Sequence, residues 1–126
     1  MARVLVIDDS ATVREMARMA LEPAGHEVLQ AANGRVGLEV QRVLACDVVI
    51  TDLIMPEKEG LETILELRRE WPQLKIIAVS GGSAVLDKRD LLHAARSFGA
   101  GQTLSKPFTA RQLIDSVSQA VSPPPA

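Results

Sequence analysis

The sequence predicts an α/β fold in which helices cover a parallel β-sheet. Five short apolar segments alternate with segments of helical periodicity along the 126 residues. Strands that alternate with helices form βαβ units, and such units build parallel sheets. Three of the apolar segments are nearly continuous runs rich in β-branched residues, which is typical of strands buried on both faces. A chain of this length suits one domain with a substantial core.

The predicted strands are short apolar runs, and each ends at a turn or at a polar residue. In chain order they cover residues 4–7, 27–31, 47–51, 75–80 and 102–105. The predicted helices cover residues 11–25, 34–45, 59–71, 86–99 and 109–121. Glycines stand at the expected turns and helix ends, at Gly25, Gly34, Gly60, Gly99 and Gly101. In the first helix, the spacing of Met16, Met19 and Ala20 predicts an apolar face.

Composition and charge exclude several classes of function. The net charge is −2 and there is no run of Lys and Arg, so direct binding to nucleic acid is not expected. The apolar stretches are much shorter than the roughly 20 residues that span a bilayer. A strand predicted from Val4 leaves no room for a signal peptide, and Cys46 has apolar neighbours, so we expect a cytoplasmic protein with a reduced core thiol. The proline-rich segment 122–126 is expected to be a frayed terminus or the start of a linker.

Polar residues follow the strands predicted to be buried. Asp8 and Asp9 follow the first strand, Asp52 follows the third, Ser80 ends the fourth and Lys106 follows the fifth. Because all strands of a parallel sheet end at the same edge, where ligands bind, we expect these side chains to converge.

Each of these residues also has a purely structural interpretation. Asp9 or Ser10 could cap the first helix, Asp52 and Ser80 could belong to turns, and Lys106 could be solvated at a strand end. Three uncompensated carboxylates within about 4–6 Å would repel one another by several kcal/mol, however, so their convergence predicts a cation.

The chemistry of the predicted cluster favours magnesium and phosphate. Carboxylate oxygens without nearby His or Cys ligands select Mg²⁺ or Mn²⁺, and His26 and His93 are both expected on the surface. Mg²⁺ favours sites where a phosphate completes its coordination, and a carboxylate can itself attack phosphorus to give an aspartyl phosphate.

With these residues in place, the sequence resembles the receiver domain of bacterial response regulators, the chemotaxis-regulator type of two-component signalling. The matching segments are "VLVIDDS", "DVVITDLIMPEKEG", "IIAVSGG" and "FGAGQTLSKPF", followed by a closing amphipathic helix. The resemblance covers residues 1–121, which we therefore expect to form one receiver domain. It implies a flavodoxin-like, doubly wound (βα)5 fold whose five parallel strands have the order 2-1-3-4-5.

The resemblance also implies a role for each site residue. Asp52 corresponds to the phosphoacceptor, and Asp8 and Asp9 to the acid pair that binds the metal together with Asp52 and the backbone carbonyl of Ile54. Ser80 corresponds to the switch hydroxyl, and Lys106 to the lysine that contacts the phosphoryl group. The Lys106–Pro107 peptide bond is expected to be cis, as in the family.

Two departures from the family pattern bear on how a signal would leave the site. The position usually held by Tyr or Phe is Thr103, and the stretch between Ser80 and Gly99 is longer than the family pattern predicts. A ring-based switch is therefore not available. We expect the readout to involve Ser80, the flexible pair Gly81 and Gly82, and residues up to 92.

The leading hypothesis is a signalling domain, not an enzyme in its own right, that accepts a phosphoryl group from a sensor histidine kinase or a histidine phosphotransfer protein. A downstream protein or a fused output domain would receive the signal. One alternative is a pseudo-receiver, a docking module that is not phosphorylated, although the acid pair, the acceptor and the lysine are all present. The other is a phosphohydrolase with an aspartate nucleophile, but that class usually carries D-x-D after its first strand, and here the two acids are adjacent.

Overall fold

A five-stranded parallel sheet forms the centre of the protein, in a computed structural model that describes residues 1–53, 60–81, 93–97 and 99–121. The strands are β1 (Arg3–Ile7), β2 (Glu27–Ala31), β3 (Val48–Asp52), β4 (Lys75–Ser80) and β5 (Gln102–Ser105). Their order is β2-β1-β3-β4-β5, and all neighbours are parallel. The predicted fold class and strand order are therefore confirmed.

Helices cover both faces of the sheet. They are α1 (Ala11–Leu21), α2 (Gly34–Leu44), α3 (Gly60–Glu70), a helical stretch over 93–97 that we label α4, and α5 (Ala110–Val121). Alternate residues of the strands supply two separate cores. On β1, Val4 and Val6 pack with α1 and α5, whereas Leu5 and Ile7 pack with α2, α3 and α4. The sheet is therefore doubly wound, as predicted.

The buried face of α1 differs from the one that its sequence spacing predicts. Met16 and Met19 are 47% and 64% exposed, and the helix buries Ala17 and Leu21 instead. Because α1 packs against α5 as well as against the sheet, the side chains that it buries are Ala17 and Leu21, which lie on one face at i and i+4. The two methionines consequently lie on the outer surface.

The start of α3 lies unusually close to the end of β3. A Cβ atom on Gly60 would lie 2.1 Å from the backbone oxygen of Asp52 and 2.4 Å from the Cα of Leu53. Real Cβ atoms do not approach backbone this closely, so only glycine fits there without a shift of the main chain. The glycine thus allows α3 to begin directly beneath the carboxyl end of β3.

Cys46 lies in the core, as predicted. It is 5% exposed, and burial raises the pKa of its thiol to about 11. The thiol is consequently protonated at neutral pH and poorly reactive.

Across the part of the chain that the structure describes, no helix has the length and apolar character needed to cross a membrane. The predicted tail 122–126 and the segment 82–92 lie outside the described residues.

Candidate functional site

The sheet register explains why two acids from distant parts of the sequence meet. Ile7 of β1 pairs with Thr51 of β3, so the residues that follow, Asp8 and Asp52, occupy equivalent positions on neighbouring strands. Neighbouring strands are about 4.8 Å apart, and residues in register point to the same face. Both acids therefore lie on the face covered by α1 and α5.

Asp8, Asp9 and Asp52 form a compact acid cluster at the carboxyl edge of the sheet. Each contributes one carboxylate oxygen to a group in which all such atoms lie within 4.8 Å of one another. Asp8 and Asp52 are buried, at 3% and 8% exposure, whereas Asp9 is exposed. At this separation, two such charges repel by about 3 kcal/mol at an effective dielectric near 20. The cluster thus offers hard oxygen ligands that fit Mg²⁺ or Mn²⁺.

Lys106 joins the two buried acids. Its Nζ lies 3.0 Å from Asp8 Oδ2 and 3.0 Å from Asp52 Oδ2. Burial by itself would lower the pKa of the ammonium group, but the hydrogen bonds to Asp52 and Asp8 outweigh burial and raise it. Lys106 is accordingly charged at neutral pH and offsets part of the negative charge of the cluster.

The main chain around Lys106 is tied to the end of β4. The backbone N–H of Lys106 donates to the carbonyl oxygen of Ser80 at 2.9 Å, and the Lys106–Pro107 peptide bond is cis. Ser80 is fully buried and is the last residue of β4. These contacts bring the ends of β4 and β5 to the same edge as the acids.

Two of the residues predicted to take part in the readout, Gly81 and Thr103, lie in the described part of the chain. Gly81 is exposed directly after β4, and a Cβ atom there would come within 3.6 Å of the Lys106 side chain. Thr103 is half-buried in β5, where it pairs with Ala78, two positions before the end of the strand. Ile54 and Gly82 lie outside the described residues.

Helix α1 begins at the acid cluster, and Ser10 is its capping residue. The Ser10 hydroxyl accepts from the backbone N–H of Val13 at 3.3 Å, and the backbone N–H of Ser10 donates to Asp8 Oδ1 at 2.8 Å. Of the two capping candidates in the sequence, Ser10 rather than Asp9 serves this role. The Asp9 carboxylate is therefore not needed to begin the helix.

One residue of the site, Arg14, was not predicted from the sequence. Its Nη1 donates to the backbone oxygen of Asp8 at 2.7 Å, and its Nε donates to Gln30 Oε1 at 3.2 Å. A long cationic side chain in the second turn of a helix that begins at the acids is the signal that could have identified it.

Features at the opposite edge of the sheet are remote from this chemistry. A cavity of about 740 Å³ lies at the amino ends of β1, β3 and β4, where its lining includes Ala2, Cys46 and Trp71. His26 Nδ1 accepts from the backbone N–H of Ala2 at 3.1 Å, also at that end. None of the acid-cluster residues lines this cavity.

Comparisons with known proteins match the chain to one described family. The family model described as "Response regulator receiver domain" matches residues 4–118. The chemotaxis protein CheY of Thermotoga maritima is 32% identical over 118 residues, covering 93% of this chain and 95% of the relative. A probable transcriptional regulatory protein of a Picosynechococcus species is 35% identical over 120 residues, which cover 90% of this chain but only 46% of the relative, so the chain spans about half the length of that protein.

A solved structure gives the same result for the fold. The crystal structure of a response regulator receiver domain protein from Clostridium thermocellum superimposes with a TM-score of 0.87 at 32% identity. The superposition covers 96% of this chain and 94% of the other.

Proposed function

Since the chain belongs to the response regulator receiver domain family, we propose that Asp52 accepts a phosphoryl group from a phosphorylated histidine of a sensor kinase or a phosphotransfer protein. The observation that carries this proposal is the double contact of Lys106 Nζ with Asp8 and Asp52, at 3.0 Å each, within a three-carboxylate cluster. A buried carboxylate paired with a cation at an open strand end is equipped to receive an anionic group. The domain acts as a signalling module, not as an enzyme with its own substrate.

The proposed transfer forms one bond and breaks one. A carboxylate oxygen of Asp52 forms a bond to phosphorus, and the bond between phosphorus and the imidazole nitrogen of the donor breaks, leaving its electron pair on the imidazole. Lys106 then moves from its contacts with Asp8 and Asp52 to the oxygens of the new phosphoryl group, where its ammonium offsets the added charge. The hydroxyl of Ser80 donates a hydrogen bond to the same oxygens.

The acid cluster would hold the divalent ion that this chemistry needs. Asp8, Asp9 and Asp52 would supply carboxylate ligands, and Ile54, outside the described residues, would supply its carbonyl oxygen. Bound there, Mg²⁺ or Mn²⁺ would neutralise charge that develops on the phosphoryl oxygens.

Phosphorylation would switch a surface that binds a partner. Thr103 has no ring to turn inward and little apolar area to bury, so the response would pass from Ser80 through Gly81 and Gly82 into residues up to 92. The match covers 46% of a probable transcriptional regulatory protein, which supports a fused output domain as the recipient. The match to the chemotaxis protein CheY covers 95% of that relative, which supports a separate protein instead.

The test is the intact mass of the protein after incubation with acetyl phosphate and Mg²⁺. We expect the wild type to gain one phosphoryl group and Asp52→Asn to gain none, while Asp115→Asn, which alters an exposed acid on α5, behaves as the wild type. EDTA should abolish the gain. Hydrogen exchange on the phosphorylated sample should change over residues 81–92 more than around Thr103.

Two outcomes would contradict the proposal. An equal mass gain in Asp52→Asn would show that Asp52 is not the acceptor, and full phosphorylation in EDTA would remove the metal from the chemistry. A wild type that gains no mass from acetyl phosphate or from a phosphohistidine donor would instead favour the pseudo-receiver, a docking module.

A further inference from the structure

We infer that Arg14 is a positioning residue that fixes the peptide group between the two adjacent acids of the site. The inference rests on the proposed function, because it concerns how tightly those acids bind Mg²⁺. Arg14 Nη1 donates to the carbonyl oxygen of Asp8 at 2.7 Å. That carbonyl belongs to the peptide group that joins Asp8 to Asp9, so its orientation sets the direction in which Asp9 leaves the strand.

The other polar groups of Asp8 are held by different elements. Its backbone N–H donates to the carbonyl of Ala31 at 3.1 Å, which continues the pairing of β1 with β2. Its carboxylate accepts from the backbone N–H of Ser10 at 2.8 Å and from Lys106 at 3.0 Å. Arg14 adds a hydrogen bond to the carbonyl oxygen, so the backbone and the side chain of Asp8 are both fixed just before the exposed acid, Asp9.

Arg14 is itself held in place. Its side chain is half-buried, and Nε donates to Gln30 Oε1 at 3.2 Å on the neighbouring strand β2. Gln30 Nε2 in turn donates to Glu15 at 3.4 Å. The guanidinium group thus bridges α1, β2 and the loop that carries the acids. This arrangement is expected of a group that orients metal ligands without contacting the metal itself.

The structure supplies a matched control on the same helix. Arg18 lies one turn further along α1 and pairs with Glu15 and Glu22, all on the exposed surface of the helix. Arg14 and Arg18 carry the same charge on the same helix, but only Arg14 contacts the residues of the acid cluster.

Positioning and simple charge predict opposite results when Arg14 is replaced. If Arg14 acted only through its positive charge, its removal would make the cluster more negative and would tighten Mg²⁺ binding. If Arg14 orients the acid pair, its removal frees Asp9 and weakens binding, by about 10-fold or more for a partner that supports metal ligands. The sign of the change therefore separates the two roles.

The experiment is calorimetric titration of the full chain with MgCl₂ at fixed ionic strength. We expect Arg14→Ala to raise the Kd about 10-fold, Arg14→Lys to raise it less because one donor remains, and Arg18→Ala to leave it unchanged. Gln30→Ala, which removes only the anchor of the guanidinium, should weaken binding in the same direction by a smaller factor. An Arg14→Ala variant that binds Mg²⁺ as tightly as the wild type, or more tightly, would overturn the inference.

A second measurement needs no metal and separates this inference from the proposed function. In the metal-free protein, NMR should show the Asp9 amide of Arg14→Ala broadened and exchanging faster than in the wild type, with the amides of α5 unchanged. If the line width and the exchange rate of the Asp9 amide in Arg14→Ala equal those of the wild type, Arg14 does not position this peptide group. A wild type that ignores MgCl₂ while the Asp9 amide still responds to Arg14→Ala would instead refute the metal site of the proposed function.

Discussion

At the scale of single residues, the charges of the site converge on Lys106. Its pKa is raised because the hydrogen bonds to Asp52 and Asp8 outweigh the effect of burial. A group whose pKa is higher in the folded state stabilises the fold fully below its unfolded pKa, and the stabilisation is lost as the pH rises through the folded value. The ion pairs of Lys106 should therefore contribute throughout the neutral range and weaken only above the usual range of lysine.

Replacing Lys106 by alanine should separate metal binding from stability. Without Mg²⁺, Lys106→Ala should lose about 1–2 kcal/mol of unfolding free energy, because two charge-assisted hydrogen bonds disappear and the two buried acids lose the cation that they share. Mg²⁺ should bind no more weakly, since the lysine and the ion compete for the same carboxylates. Urea unfolding and calorimetric titration measure the two effects.

The control for Lys106 is Lys75→Ala, which alters an exposed lysine at the opposite end of β4. The difference between Lys106→Ala and the wild type should persist to about pH 9 and shrink above the ordinary pKa of lysine. A loss of Mg²⁺ affinity in Lys106→Ala, or a stability difference that grows with rising pH, would contradict this account.

At the scale of elements, the junction of β3 and α3 fixes the backbone of Asp52. Gly60→Ala would place a Cβ atom 2.1 Å from the Asp52 oxygen, so the main chain must shift at the proposed phosphoacceptor. We expect a loss of about 1–3 kcal/mol in unfolding free energy, as for other overpacked sites, together with slower phosphorylation by acetyl phosphate. Urea unfolding and the rate of mass gain are the measurements.

Gly101→Ala is the matched control for the β3–α3 junction. A Cβ atom at Gly101 would meet nothing within 4 Å, and the residue is exposed before β5. Gly101→Ala should therefore leave the free energy of unfolding and the rate of phosphorylation close to those of the wild type. If Gly60→Ala were as harmless as Gly101→Ala, the close approach of α3 to β3 would not constrain the site.

The elements also show what sequence patterns can predict. The buried strands could be predicted because continuous apolar runs such as Val48, Val49 and Ile50 leave no exposed face. The convergence of Asp8 with Asp52 follows from parallel strand ends alone. The buried face of α1 was predicted incorrectly at Met16 and Met19, since periodicity does not say which neighbour a helix packs against. The contact of Arg14 with Asp8 and the close approach of Gly60 to β3 could not be predicted, because both depend on distances between a helix and a strand that tertiary packing sets.

At the scale of the whole molecule, the acid cluster should make the free energy of unfolding depend on divalent ions. Mg²⁺ that binds the assembled carboxylates and not the unfolded chain stabilises the fold, by about 2.7 kcal/mol at 100 times its Kd. Asp9→Asn should raise the melting temperature without metal by relieving repulsion, and should reduce the shift that Mg²⁺ causes. Differential scanning calorimetry with and without MgCl₂ measures both.

For the stability experiment, Asp115→Asn again serves as the control, because it removes one exposed negative charge in the middle of α5 that does not belong to the acid cluster. A wild type whose melting temperature ignores millimolar Mg²⁺ would argue against the metal site. An equal rise in Asp115→Asn and Asp9→Asn would show that net charge, not the local cluster, limits the stability of the metal-free protein.

The position of Trp71 has a consequence for optical experiments. It is the only tryptophan in the chain, there is no tyrosine, and it lines the cavity at the amino ends of the strands, away from the acids. Its fluorescence should therefore follow unfolding without quenching or enhancement by an ion or a phosphoryl group at the far edge. Emission curves recorded with and without Mg²⁺ can then be compared directly, whereas an optical signal from the site itself would need an indole introduced nearby, for instance by Thr103→Trp.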